Sequence, residues 1–162
     1  MTSAREQHLA NITDIRTELF AILEGMDYCL DWRPGPEDWS AREVLTHMLN
    51  TPPPGVPTLL RDILAGDITE YNLWADEKYL TPEAQEWDLA QVKEQLAGYF
   101  TALEEALASA TDDDLAAPVM VHQRNRHWDE PRPVQWLAER LFAGHWREHL
   151  GQLRELREAL GV

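Results

Sequence analysis

Apolar residues recur at helical spacing in four stretches of this chain. The first runs through Leu9, Ile12, Ile15, Leu19, Ile22, Leu23 and Met26, down to about Leu30, and opens at Ser3-Ala4-Arg5-Glu6, the pattern of a capping box. Arg33-Pro34-Gly35-Pro36 stops it. Ser40-Ala41-Arg42-Glu43 is a second capping box, launching a helix through Val44, Leu45, His47, Met48 and Leu49. That helix runs into Thr51-Pro52-Pro53-Pro54-Gly55, which no continuous α-helix tolerates. Thr58 to Ala65 is expected to resume it at a new angle, and Gly66 to Pro82 reads as a long connection. Asp88 to Gln91 caps a third stripe, Leu89, Val92, Leu96, Leu103, Leu107 and Ala110. Thr111 to Asp114 reads as a turn or the cap of a short helical piece. Ala117 to Pro133, with three prolines, reads as a loop with a strand-like Val119-Met120-Val121. The last helix is expected from about Pro133, a residue suited to a first turn, to near Leu160.

The pattern predicts an all-α fold, an antiparallel four-helix bundle formed by residues 1–162 as a single domain. A Pro-rich break follows helix two and a long loop precedes the last helix. Charge narrows the partners. With 14 Lys and Arg against 29 Asp and Glu, the formal net charge of -15 repels phosphate backbones and anionic membrane surfaces, so no nucleic acid and no membrane partner is expected. No secretory signal or membrane-length apolar run is visible, and the single Cys29 allows no intrachain disulfide, so a cytoplasmic setting is the simplest reading. Cys29, placed on helix one, reads as core packing. The seven tryptophans have two readings, core filling between helices or an aromatic-lined pocket, and both stay open.

The chemistry concentrates in the last helix. His145 and His149 stand one turn apart on the same face, and counted at about 100° per residue they fall within the stripe of Leu137, Leu141, Phe142, Leu153 and Leu156. Polar rings aimed at a core need partners, and a shared metal ion is one. His47, in the only other helix with an interior histidine, sits at the edge of its apolar face and is the best third ligand. His8 reads as solvent-facing, and His122 and His127 belong to the loop before the last helix. Trp146 follows His145 where a zincin metalloprotease would place glutamate, which rules out that reading. Glu148 reads as solvated.

Trp39-Ser40-x-x-Glu43-Val44-Leu45-x-His47, together with His145-x-x-x-His149-x-Gly151-Gln152 and the Asp113-Asp114-Leu115 turn, resembles the DinB/YfiT superfamily of four-helix bundles. The resemblance spans essentially the whole chain in length and helix order, although its specific part is about a dozen residues. It implies a divalent metal, zinc or nickel, held by His47, His145 and His149, with Gln152 supporting a ligand rather than binding the ion. It also implies an enzyme acting on a small molecule, as a hydrolase or as a transferase or isomerase using a low-molecular-weight thiol as cosubstrate. Pairing into a homodimer through helix faces is compatible with it. Other members, the DfsB-like branch, resemble metal-free binding or self-protection proteins, and that is the alternative. A purely structural bundle with hydrogen-bonded histidines is the third reading.

Overall fold

In a computed structural model that describes residues 2–162, the capping boxes at Ser3, Ser40 and Asp88 are all formed. Each side chain accepts from the backbone three residues on while the residue there caps in return, which satisfies donors that a helix start leaves free. They open α1 (Ala4–Leu23), α2 (Ala41–Asn50) and α5 (Leu89–Leu107). Thr111 caps the short α6 (Asp112–Ala116) in the same way. Helix α1 ends well before Leu30, because Gly25 takes a left-handed conformation (φ 79°) that turns the chain away. Cys29 is therefore buried in the following turn and not on the helix.

After α2 the prolines turn the chain into α3 (Val56–Leu64), as the sequence predicts. The expectation of a purely α-helical chain is corrected here. The long connection contains β1 (Glu70–Leu73) and the short α4 (Pro82–Gln85), and the loop before the last helix is the hairpin β2 (Pro118–Gln123) and β3 (Trp128–Pro133). The strands form a three-stranded sheet in the order β1-β2-β3, with β1 parallel and β3 antiparallel to β2. Tyr71, Val119 and Val121 turn inward to the core, while His122 stands on the outer face.

His122 ties the three strands together, its Nδ1 2.6 Å from Asp129 Oδ1 and its Nε2 3.2 Å from Glu70 Oε2. Those carboxylates, Asp129 foremost, raise its pKa. The folded state thus binds the imidazolium proton more tightly than the unfolded chain does. The stabilisation is fully present below the ordinary histidine pKa and is lost as pH rises through the raised value. Between about pH 6 and about pH 9 the urea midpoint of the parent is expected to shift downward relative to that of His122→Gln.

The last helical stretch is also not one α-helix. Residues Leu137–Gly144 are π-helical, and α7 (His145–Leu160) starts at the first histidine of the pair. Next to that histidine, Trp146 is fully buried in an aromatic cluster, stacked on Tyr99 at 4.5 Å and tilted against Phe142 at 5.0 Å. Anchoring Trp146 in the core fixes the rotation of α7 and thereby the side from which His145 leaves. Helix α2 is secured at its start by buried Arg42, which donates to the Asp31 carboxylate at 2.7 and 3.2 Å and to the carbonyls of Ala84 and Trp87 at 2.9 and 2.6 Å. Among the described residues no helix is long and apolar enough to cross a membrane.

Candidate metal centre

Helices α2 and α7 pack together and bring His47 against the His145 and His149 pair. The Nε2 atoms of His47 and His149 each lie 2.9 Å from Nε2 of His145. The three rings meet edge to face, with centroids 4.5–4.9 Å apart. Nitrogens that share one ion at about 2.1 Å stand about 3.0 Å apart at octahedral and about 3.4 Å apart at tetrahedral angles. The two contacts of His145 match neighbouring ligands of one ion, and all three ligand nitrogens lie within 4.8 Å of one another. The proline break does not displace His47, because Thr51 stops the helix one turn later and donates its hydroxyl to the His47 carbonyl at 2.7 Å.

The outer ring nitrogens settle where the protons are. His47 Nδ1 lies 2.5 Å from the Glu77 backbone carbonyl, which can only accept, so Nδ1 carries the proton and Nε2 is bare. With the Gln152 amide turned as it is in this structure, His149 Nδ1 donates to its Oε1 at 2.7 Å. His145 Nε2 can carry one proton and donate to one neighbour. The other 2.9 Å contact then sets lone pair against lone pair, a repulsion that a shared cation removes. Protonating His145 or His47 is no remedy. Burial, reinforced by the neighbouring His149 and His47, pushes His145 down to about 3, and burial also lowers His47. His145 Nδ1 is buried without a well-formed hydrogen bond, with only a favourable influence from the Leu141 carbonyl. These residues could hold a metal, and among the described residues they are the only such cluster of His, Cys, Asp and Glu.

A cavity of about 570 Å³ opens onto the three imidazoles. Trp39, Trp74, Trp128 and Trp136 line it, and Glu37, Asp38, Asp76 and Glu148 stand around it with Arg126 and Arg140. Both readings of the tryptophans therefore hold, each for different residues: Trp146 fills the core, while these four face the cavity. Trp128 and Trp136 are braced from behind by Arg132, whose guanidinium lies 5.3 and 5.2 Å from their rings.

The chain matches the DinB superfamily over residues 11–153. It belongs to that superfamily. Its fold is similar to that of YfiT from Bacillus subtilis, described as a probable metal-dependent hydrolase with an unusual four-helix bundle topology, at 15% identity and a TM-score of 0.68, covering 97% of this chain and 87% of that one. It is also similar to an uncharacterised protein from Escherichia coli UTI89, at 14% identity and a TM-score of 0.61, covering 100% and 97% of the two chains. A search of curated protein sequences returns no match.

Within this DinB fold the histidines singled out from sequence divide by place. His47, His145 and His149 come together, and Gln152 touches His149 as the resemblance implies. His8, read as solvent-facing, is buried with Nε2 3.2 Å from Gln135 Oε1, because the residues leading into the π-helical segment cover the start of α1. His122 is bound on the sheet, and His127 occupies the hairpin turn in a left-handed conformation. Sequence reasoning missed the Glu77 carbonyl, since a backbone acceptor has no residue signature. It also left Glu148 in solvent. That residue is exposed but lines the cavity, held at 3.2 Å by Arg140 from one side.

Proposed function

We propose that this protein is a divalent-metal-dependent enzyme in which His47, His145 and His149 hold zinc or nickel, acting on a small molecule as a hydrolase or a thiol-dependent transferase or isomerase. The observation that carries the reading is the meeting of three ring nitrogens, His145 Nε2 lying 2.9 Å from Nε2 of each of the other two, with the Nε2 of His47 left bare by the Glu77 carbonyl. A divalent ion bound there supplies Lewis acidity, lowering the pKa of water or of a low-molecular-weight thiol towards neutrality. The rest of the chemistry falls to the chain. The tryptophan walls take up the apolar part of a substrate and keep bulk water from it. Glu148 accepts the proton that the nucleophile releases, its carboxylate oriented by Arg140. Cys29 is buried and its thiol is pushed up by burial, so the nucleophile comes from outside the protein. The four tryptophans favour a metal-free small-molecule binder as the second reading.

Elemental mass spectrometry on untagged protein decides between the two. About one zinc or nickel per chain is expected. A metal-free protein, even after incubation with both ions and desalting, sinks the enzyme reading and leaves the binder.

A further inference from the structure

The segment Asp76–Tyr79 lies against α2 on the side of His47 away from the other two histidines, and its conformation is held from outside. Asp76 and Tyr79, at its ends, both adopt left-handed backbone conformations, with φ of 60° and 56°. For residues with a side chain, each costs about 1 kcal/mol, so the segment keeps this shape only where contacts impose it. The contacts all run to one face of α2. The Glu77 carbonyl meets His47 Nδ1, and the Lys78 carbonyl lies 2.9 Å from the Thr46 hydroxyl. The Lys78 ammonium pairs with Glu43, one turn before His47, and stands 5.6 Å over the ring of Trp39, which itself packs edge-on against His47 at 5.3 Å.

Glu43 is the fixed end of this arrangement. It is 3% exposed, and its Oε1 receives the Ser40 amide at 3.0 Å and the Arg33 guanidinium at 2.9 Å, leaving Oε2 for Lys78. A buried carboxylate held by the helix it caps is a rigid anchor, whereas the Lys78 side chain is 40% exposed and pairs with no other anion among the described residues. We propose that Glu43 and Lys78 are positioning residues for His47. By clamping the 76–79 segment onto α2, they hold the Glu77 carbonyl against Nδ1, which fixes the tautomer and direction of His47 and presents a bare Nε2 at the site. The consequence for metal affinity rests on the metal reading above, but the consequence for the tautomer does not.

Two variants separate this role from helix capping. Glu43→Gln keeps the capping acceptor, since glutamine serves at that position too, and removes the charge that pairs with both Lys78 and Arg33, so Lys78→Met isolates the Lys78 part. Lys78→Met leaves the helix untouched, and Lys78→Arg is the conservative rescue. Nitrogen-15 imidazole spectra of the metal-free protein are expected to show His47 protonated at Nδ1 in the parent and in Lys78→Arg. Glu43→Gln and Lys78→Met are expected to show a mixture of tautomers. In cobalt(II) titrations the same two variants bind about tenfold more weakly with a changed visible spectrum, the lower end of the range for residues that orient a ligand. The double variant falls no further than either single one. An unchanged His47 tautomer in both single variants overturns the proposal whatever the metal does. A parent that binds no cobalt, with the tautomer shift still seen, counts against the metal reading and upholds the clamp.

Discussion

Excess zinc is expected to raise the melting temperature of the parent and to leave that of His145→Ala where it was. His145 Nε2 is the atom common to both 2.9 Å contacts, so its removal takes out the centre of the site and not one edge of it. The remaining pair, His47 and His149, belongs to two different helices, and two imidazoles make a poor structural site for a tetrahedral ion. At zinc concentrations about 100 times the dissociation constant, mass action stabilises the binding protein by about 2.7 kcal/mol. For a chain of this size that is a rise of roughly 5–10 °C. The metal-free proteins behave differently. His145→Ala loses some packing, but it also relieves the repulsion among bare ring nitrogens, so its melting temperature stays within a few degrees of the metal-free parent. A zinc-induced rise in His145→Ala equal to that of the parent would place the ion elsewhere.

The metal-free parent is expected to weaken steadily as pH falls from about 6.5 towards 3. Burial and the two neighbouring rings hold His145 at about 3 in the fold, whereas in the unfolded chain it takes up a proton near its ordinary value. A base whose folded pKa is lowered leaves the unfolded state binding more protons, so acid favours unfolding across that window. Above the ordinary value the penalty is absent; below the lowered one it is complete, on the order of 5 kcal/mol. Urea midpoints of the metal-free protein at several pH values, beside those of His145→Gln, measure it. The variant is expected to show a shallower decline, and equal slopes would mean that the cluster does not resist protonation. Protons also compete with an ion for the same Nε2 atoms, so a loaded protein releases its metal over the acidic part of the range.

How much of this was legible beforehand follows from which interactions are local. Ser3-x-x-Glu6, Ser40-x-x-Glu43 and Asp88-x-x-Gln91 are contained within single helix turns, and all three form as read. His145 and His149 lie beyond the π-helical segment, in regular α7, so their one-turn spacing survives although counting at 100° from Leu137 does not carry across it. His47 was singled out by its place in the second helix and strengthened by resemblance, while its near-complete burial depends on how α2 packs on α7. The strands were hidden for physical reasons. Strand β1 has four residues, too few for alternation to register. In β3, Pro131 and Pro133 argue against a strand by propensity, yet β3 lies at the sheet edge, where a missing backbone donor is tolerated. The 76–79 segment was illegible because its left-handed residues are not glycines and are held by a carboxylate more than 30 residues away.

The four carboxylates around the cavity have a further consequence, one of rates. With a net charge of -15 behind them, they set up a negative potential that low-dielectric walls focus at the cavity mouth. Small cations therefore arrive faster than unguided diffusion would bring them, and anionic molecules, chelators included, arrive more slowly. The bias weakens with salt, because at about 0.15 M ionic strength charges are screened over about 8 Å. Uptake of a divalent ion from dilute, low-salt solution is thus expected to be fast, and its removal by an anionic chelator slow and accelerated by added salt.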